Sequence, residues 1–376
     1  MGDSRATGRA TQPSPSVRLP EGIETPTPLV DVDVLERNIA GMAGTLRARG
    51  VGLRPHTKTS KCIEVIRRQV AAGVVGLTVA TLGEAEVLAD AGFSDLFQAY
   101  PVWAGRPERA RRLRELHERC NLLVGVESQD AAAALGRAVR GSERPLGVLV
   151  EIDPGLRRSG VAPDAALAVA RAAADAGLDV TGAFTFGGHA YSACEAPHDA
   201  ADDEVRVLDD ARQALSAAGF DVRVLSAGCT PTAHMSSRPP VTDERPGTYV
   251  FQDCQQVALG SAAPDSVALV VAATVVASHA DGHFVLDAGS KVLGLDRPAW
   301  LPGFGTVAEY PDAVLRSLSE HHGVAWTDGP RPRVGEVVRV VPNHVCIVVN
   351  LANRLTVVRQ GEVVGEWAVA SRGMNT

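Results

Sequence analysis

PLVDVDVLERNIAGMAGTLRARGVGLRP, residues 28–55, joins two periodicities in one short stretch. PLVDVD (28–33) alternates apolar and polar residues as a strand does. VLERNIAGMAGTLRAR (34–49) spaces its apolar residues for one face of a helix, and Gly50 stops it before VGLRP (51–55). Strand, helix, strand is the opening of a parallel βαβ unit. The same alternation continues through VGLTVAT (75–81), DLFQAY (95–100), NLLVGV (121–126), LGVLVEID (146–153), VTGAFTF (180–186) and VRVLSAG (222–228). Helical patterns such as GEAEVLADA (83–91), PDAALAVARAAADAG (163–177) and DDEVRVLDDARQALSAAG (202–219) lie between them. Eight strands with intervening helices in about 230 residues predict an α/β fold, a (β/α)8 TIM-like barrel rather than an open sheet.

Beyond about residue 260 the helical pattern fades. SVALVVAATVVASH, HFVLDAGSKVLG, VGEVVRVVPNHVCIVVNL and GEVVGEWAVA are strand-like and short-looped, which predicts a C-terminal β domain. The expected division is a disordered tail (1–20), a barrel (21–258) and the β domain (259–376).

The 376 residues carry 44 acidic against 37 basic side chains, a formal charge of −7, with no long basic block. That balance speaks against nucleic acid or an anionic membrane as partner. No run approaches the roughly 18 apolar residues of a membrane helix, and residues 1–18 lack the apolar region of a secretory signal. The six cysteines show no paired spacing and are read as reduced thiols of a cytoplasmic protein.

In such barrels chemistry collects where strands run into the following loops. RPHTKTSK (54–61) places Arg54, His56 and Lys58 two apart, on one face if extended, and Lys58 at a strand end is a candidate amine nucleophile. In DPGLRRSG (153–160) one of Arg157 and Arg158 is expected to enter the barrel mouth, with a structural salt bridge as the alternative. FGGHAYS (186–192) offers His189 and Tyr191 after two glycines, and the amides of SAGCTPT (226–232) are placed to cradle a phosphate. A lysine, an arginine and an anion cradle suit pyridoxal phosphate held as a Schiff base, and equally a Schiff-base aldolase acting on a sugar phosphate. Glu84 and Glu86 are read as facing solvent or an interface. His279, His283, His321 and His322 show no ligand spacing.

TPLVDVDVLERNI (27–39), LRPHTKTSK (53–61), VATLGEAEVLADAG (79–92), VEIDPGLRRSGV (150–161), GGHAYS (187–192), SAGCTPT (226–232) and ERPGTYVFQD (244–253) together resemble the D-serine dehydratase / D-threonine aldolase family. VLDAGSKVLG (285–294), PNHVC (342–346) and SRG (371–373) extend the resemblance through the second domain. It implies an alanine racemase-like barrel of fold type III that carries pyridoxal 5'-phosphate. By the same resemblance Lys58 is the lysine bonded to the cofactor, and Arg158 faces its ring nitrogen. Tyr191, Gly228, Cys229 and Thr230 contact it around the phosphate, while His344 and Cys346 bind a divalent metal. Phe184, Phe186, Ala227 and Cys229 depart from the family's usual residues at their positions.

The implied substrate is a D-β-hydroxy amino acid whose hydroxyl meets the metal. In a dehydratase Lys58 removes the α-proton and the metal assists loss of hydroxide, giving an oxo acid and ammonia. In an aldolase the hydroxyl is deprotonated instead, with His189 the candidate base, giving glycine and an aldehyde. A thiolate at Cys346 suits zinc over manganese or magnesium, so a D-serine dehydratase-like lyase is expected. The alternative is a D-threonine or 3-hydroxy-D-aspartate aldolase. A non-catalytic pyridoxal-phosphate-binding protein is disfavoured, because such carriers lack the second domain. The resemblance also implies a homodimer in which the β domain of one subunit closes the barrel of the other. His344 and Cys346, two apart on a strand, are expected to share one face and form an open metal clip.

Overall fold

Residues 147–152 and 179–185 are buried along almost their whole length, as strands covered on both faces by helices must be. The computed structural model describes residues 15–376. Strand β1 (Thr27–Asp31) leads into helix α1 (Val32–Ala48), capped by Asp31, whose carboxylate accepts from the amides of Asp33 and Val34 at 3.0 and 3.1 Å. The first sheet holds β2 (Gly52–Leu53), β3 (Leu77–Val79), β4 (Asp95–Gln98), β5 (Asn121–Val126), β6 (Gly147–Ile152), β7 (Asp179–Thr185), β8 (Val224–Ala227) and β9 (Asp243–Glu244). Its order is β2-β9-β8-β7-β6-β5-β4-β3, and all the paired neighbours are parallel. The ring closes just past β2, where His56 bridges Thr78 and the Thr57 amide donates to the Thr78 carbonyl at 2.8 Å.

Helices α2 (Ile63–Ala71), α3 (Leu82–Asp90), α4 (Pro107–Arg119), α5 (Gln129–Ala138), α6 (Ala166–Asp175) and α7 (Ala196–Ala217) are the larger connections. An extensive apolar core fills the space between these helices and the strands. Inside the barrel sits a smaller plug of Phe97, Leu149 and Phe184, with Phe97 edge-on to Phe184 at 5.1 Å between centroids. Short helices α8 (Ala233–Ser236) and α9 (Cys254–Ala258) lead out of the barrel; α10 (Ser290–Leu293) and α11 (Val345–Leu351) belong to the C-terminal half.

The second sheet contains β10 (Leu269–Ser278), β11 (His283–Leu286), β12 (Gly305–Val307), β13 (Val314–Leu318), β14 (Gly323–Trp326), β15 (Val337–Pro342), β16 (Arg354–Arg359) and β17 (Glu362–Ala368). It also contains β1. The segment expected to open the barrel instead lies between β10, antiparallel to it, and β16, parallel to it. The eighth barrel strand is β9, two acidic residues paired with β2 and β8. The chain thus crosses the expected division at residues 258 and 259: its first strand completes the far domain before the barrel begins.

Two further expectations change. The expected tail lies outside the described residues for 1–14, whereas residues 15–18 are pinned down. Val17 is fully buried beside Leu29 and Val270, and Arg339 Nη1 donates to the carbonyls of Pro15 and Val17 at 2.6 and 2.7 Å. Glu84 does not face solvent. It is 2 % exposed and pairs with Lys61 Nζ at 3.2 Å, and its carboxylate accepts from the Ala80 amide at 2.7 Å. Thr81 in turn caps α3 by accepting from the Glu84 amide at 3.1 Å, so Thr81 and Glu84 bracket the helix start as a capping pair. All six cysteines are free. Among the described residues no helix is long and apolar enough to cross a membrane.

Candidate active site

Lys58 lies in the tight turn after β2. The Lys61 amide closes that turn on the Thr57 carbonyl at 2.9 Å, and Thr57 Oγ1 donates to the Thr78 carbonyl at 3.0 Å, tying it to β3. The turn therefore moves with the barrel wall. His56 and Lys58 face one cavity of about 360 Å³, but Arg54 parts from them and reaches Asp95 at 2.5 Å. The same cavity is lined by Arg158, Tyr191, Gly228, Cys229, Thr230, His344 and Cys346. Lys58 Nζ and the Arg158 guanidinium approach the Phe186 ring, at 5.7 and 4.6 Å from its centroid.

His189 is not among the lining residues. It occupies a short turn (Gly188–Tyr191), with Nε2 3.3 Å from Asp203 on α7. Gly187 and Gly188 turn the backbone so sharply after β7 that the imidazole meets the flanking helix. Tyr191, two residues on, does reach the cavity; burial, reinforced by the nearby Cys229, Asp253 and Cys346, pushes its phenol well above the usual range and keeps it neutral.

His344 and Cys346 do not share a strand. β15 ends at Pro342, His344 is the extended residue before α11, and Cys346 lies in that helix's first turn. The change of backbone direction still brings both to the cavity. Cys346 Sγ is 3.1 Å from Thr59 Oγ1, so the lysine turn touches this pair directly. Burial alone would push the Cys346 thiol up; the charge and hydrogen bond of His344, with help from Thr59 and Lys58, outweigh it and hold the thiol below its ordinary value. Burial likewise works against a charged His344, but Cys346 and Asp253 hold the imidazole well above its ordinary value. Asp253 is fully buried; its carboxylate accepts from the Val345 amide at 3.1 Å and lies 3.3 Å from His344 Nδ1. An imidazole and a ready thiolate fit a borderline-soft divalent ion, with Asp253 orienting the imidazole behind it. Among the described residues no group of three or more His, Cys, Asp or Glu is placed to hold a metal, so any ion here has two ligands from this chain and open positions besides.

The anion cradle differs from the simplest expectation. The Gly228 and Cys229 amides are already taken, by Glu204 Oε1 at 3.0 Å and by Thr232 Oγ1 at 3.1 Å. The Cys229 thiol is turned to the Gly187 carbonyl and Thr232, and burial pushes its pKa up. The amides of Thr230 and, across the cavity, Gly247 and Thr248 donate to no other described residue. A side chain at Gly247 would stand 2.7 Å from Thr59 Oγ1, so glycine lets this backbone pass close to the lysine turn. Three free amides, an amine and a guanidinium around one cavity fit a phosphorylated aldehyde such as pyridoxal phosphate.

Several supporting residues carry no local signal. Glu204, on a helix patterned for solvent, is fully buried and accepts from the amides of both Gly187 and Gly228, at 2.7 and 3.0 Å. It thereby fastens the loops after β7 and β8 to each other. Burial, and then the charge of Glu204, push the carboxyl of its neighbour Glu244 well above the usual carboxylate range. Arg245, also buried, donates to Ser226 Oγ at 2.6 Å and to the Thr185 carbonyl while lying over Phe97 and Phe184. Glu204→Ala leaves two buried amides without an acceptor, at roughly 1–3 kcal/mol each. A lower urea midpoint is expected, mostly restored in Glu204→Gln; a Glu204→Ala midpoint equal to wild type refutes this role.

Residues 30–255 match the family described as alanine racemase, N-terminal domain, and residues 268–358 match the putative serine dehydratase domain. The chain is 37 % identical over 348 residues to the D-threo-3-hydroxyaspartate dehydratase of Delftia sp. (strain HT23), covering 86 % of this chain and 91 % of that protein. It is 28 % identical to the D-threonine aldolase of Arthrobacter sp over 362 residues, 94 % of each chain. The solved Delftia dehydratase superposes with a TM-score of 0.86 at 34 % identity, covering 92 % of this chain and 97 % of that one. That enzyme has also been solved as a histidine-to-alanine variant and, two positions further on, as a cysteine-to-alanine variant in a metal-free form. An N-terminal barrel and a C-terminal dehydratase domain matched in order, with the lysine turn and the imidazole–thiolate pair meeting between them, place this chain in the alanine racemase-like, fold-type-III family of pyridoxal-phosphate-dependent lyases.

Proposed function

We propose that this protein is a metal-dependent dehydratase of D-β-hydroxy amino acids, releasing an oxo acid and ammonia. The observation that carries this reading is the 3.1 Å contact between Thr59, beside Lys58, and Cys346, which puts a candidate base and a metal-binding thiolate on one cavity wall. Lys58 and the amides of Thr230, Gly247 and Thr248 would hold pyridoxal phosphate, with Arg158 toward its ring. When bound, that cofactor supplies the electron sink that makes the substrate's α-proton removable. His344 and Cys346 would hold the divalent ion, with zinc favoured by the thiolate and manganese or magnesium as alternatives; the ion supplies a Lewis acid for the departing oxygen. Lys58 takes the Cα proton as general base. Tyr191, kept neutral by burial, contributes a hydroxyl donor and no charge. Loss of the β-hydroxyl leaves an enamine, which water converts to the oxo acid and ammonium.

The aldolase alternative needs a base for the substrate hydroxyl. His189, the residue offered by the resemblance, lies against Asp203 instead, which weighs toward elimination. The histidine-to-alanine and metal-free cysteine-to-alanine variants of the Delftia enzyme have the same two-residue spacing as His344 and Cys346, which supports the metal assignment. D-serine, D-threonine and D-threo-3-hydroxyaspartate are supplied separately, with and without a chelator. Oxo acid and ammonium, suppressed by the chelator, are expected; glycine plus an aldehyde overturns the proposal.

The same reading includes a cytoplasmic homodimer. Tyr100, which lines the cavity, Trp103 and Leu295 are 57 %, 50 % and 65 % exposed, apolar surface suited to cover by a second copy. Within a single chain the β domain already supplies His344 and Cys346 to its own barrel, so the second copy would cover the site and not complete the metal pair. Sedimentation at the monomer mass at micromolar concentration refutes the dimer.

A further inference from the structure

Three separate stretches of chain, RPHTKTSK (54–61), VATLGEAEVLADAG (79–92) and SRG (371–373), meet at one buried point beside Lys58. Lys61, which closes the lysine turn, has a left-handed backbone with φ 50°, a conformation that favours glycine and costs other residues. Its buried Nζ meets Glu84 Oε1 at 3.2 Å and donates to the Ser371 carbonyl at 3.4 Å. The Ser371 amide donates back to the Lys61 carbonyl at 3.2 Å. Glu84 is fixed in turn by the Ala80 amide, which donates to its carboxylate at 2.7 Å just past β3.

The residues after Ser371 continue this contact. Thr81 Oγ1 donates to the Met374 carbonyl at 2.6 Å, and the Gly83 amide donates to the Thr376 carbonyl at 2.9 Å. Residues 371–376, which follow the last strand of the β domain, therefore lie across the lysine turn and the start of α3. Lys58, Lys61, Glu84 and Thr376 line one chamber of about 440 Å³.

A buried ion pair adds little stability over apolar residues of the same volume, yet it is costly to break. This one holds a residue in a disfavoured backbone conformation three positions after Lys58. Such strain persists only where the surroundings over-determine it. We propose that Lys61, Glu84 and Ser371 form a buried clamp by which residues 371–376 position the Lys58 turn for the cofactor. The proposal rests on the reading of Lys58 as the cofactor lysine. Lys61 and Glu84 act through the turn and are positioning residues. Without the clamp Lys61 relaxes to ordinary backbone angles, and the turn that carries the Lys58 amine shifts with it.

The test strips the cofactor from wild type, Glu84→Gln, Lys61→Gly and a chain ending at Ala370, and titrates each with pyridoxal phosphate. The borohydride-reducible band gives the affinity, its visible circular dichroism reports the cofactor's orientation, and far-ultraviolet dichroism confirms that each protein is folded. Cofactor binding at least about tenfold weaker, with altered visible dichroism at saturation, is expected in all three variants. Glu84→Gln keeps the size of the side chain and an acceptor for the Ala80 amide. Lys61→Gly takes up the left-handed backbone without strain but has no amine, which separates the clamp from the backbone angle. Wild-type affinity and dichroism in any of the three overturn the clamp, even where the urea midpoint falls, because the pair then serves the fold alone. A wild-type protein that forms no reducible band refutes the reading of Lys58 and the clamp with it; a wild-type band with unchanged variants refutes only the clamp.

Discussion

In a Lys58→Ala protein the visible, borohydride-reducible absorbance of the holoenzyme disappears, and turnover of D-β-hydroxy amino acids falls at least about 1,000-fold. The size of the effect follows from the absence of a substitute. The sequence contains three lysines, Lys58, Lys61 and Lys291. Lys61 is buried against Glu84 at 3.2 Å and donates to the Ser371 carbonyl, so recruiting it would strip a buried carboxylate of its counter-charge. Lys291 pairs with Glu320 on the β domain and does not line the cavity. The other cations around the cavity include Arg158 and Arg245, whose guanidiniums are not amine nucleophiles. Lys58 itself carries little of the fold, because its turn is held by Thr57 and Lys61 backbone groups and not by its amine. The variant should therefore melt close to wild type, which separates lost chemistry from lost structure. A reducible cofactor band that survives the substitution refutes the assignment, and borohydride labelling followed by peptide mapping identifies the lysine responsible.

Cys346→Ala is expected to lose its bound metal and to lower kcat/KM about 100- to 1,000-fold. A Lewis acid at a leaving hydroxide contributes several kcal/mol, and each 1.36 kcal/mol is about tenfold in rate. With two protein ligands, removal of one leaves His344 alone, too little to retain a divalent ion against dilution. Metal content measured after gel filtration checks the first half of the prediction, and the rate with added zinc checks the second. Thr59 Oγ1 loses its sulfur contact in the variant but lies next to the open cavity, so little change in stability is expected. A Cys346→Ala protein with no metal and a wild-type rate would show that the hydroxide departs without this pair.

The strands β4 to β8 were legible because burial on both faces demands continuous apolar runs, and those runs are written locally. The helices between them were equally plain. Lys58, Arg158, Tyr191, Gly228, Cys229, Thr230, His344 and Cys346 could all be named from strand-end position and family resemblance. What each does inside the cavity was less visible. The Gly228 amide points at Glu204 and His189 turns to Asp203, because α7 packs behind both loops, while the Cys229 amide points at Thr232 within its own loop.

By itself the sequence determined most of the longer elements, the barrel-plus-β-domain class and the short list of reactive side chains, since these depend on periodicity and residue chemistry within a few positions. The strand expected through His344 and Cys346 is instead helix α11 from Val345 on. Tertiary structure decided which sheet each strand joins. A run such as PLVDVD has the same pattern in either sheet, and β1 is placed by its pairing with residues more than 230 positions away. It also made a strand of Asp243 and Glu244, which have no strand pattern and are held only by their neighbours. It brought Thr59 against Cys346, and it left the buried Gln98 Oε1 and Asn350 Oδ1 without a partner. Whether a polar group is satisfied depends on every segment packed around it, and no local pattern records that sum.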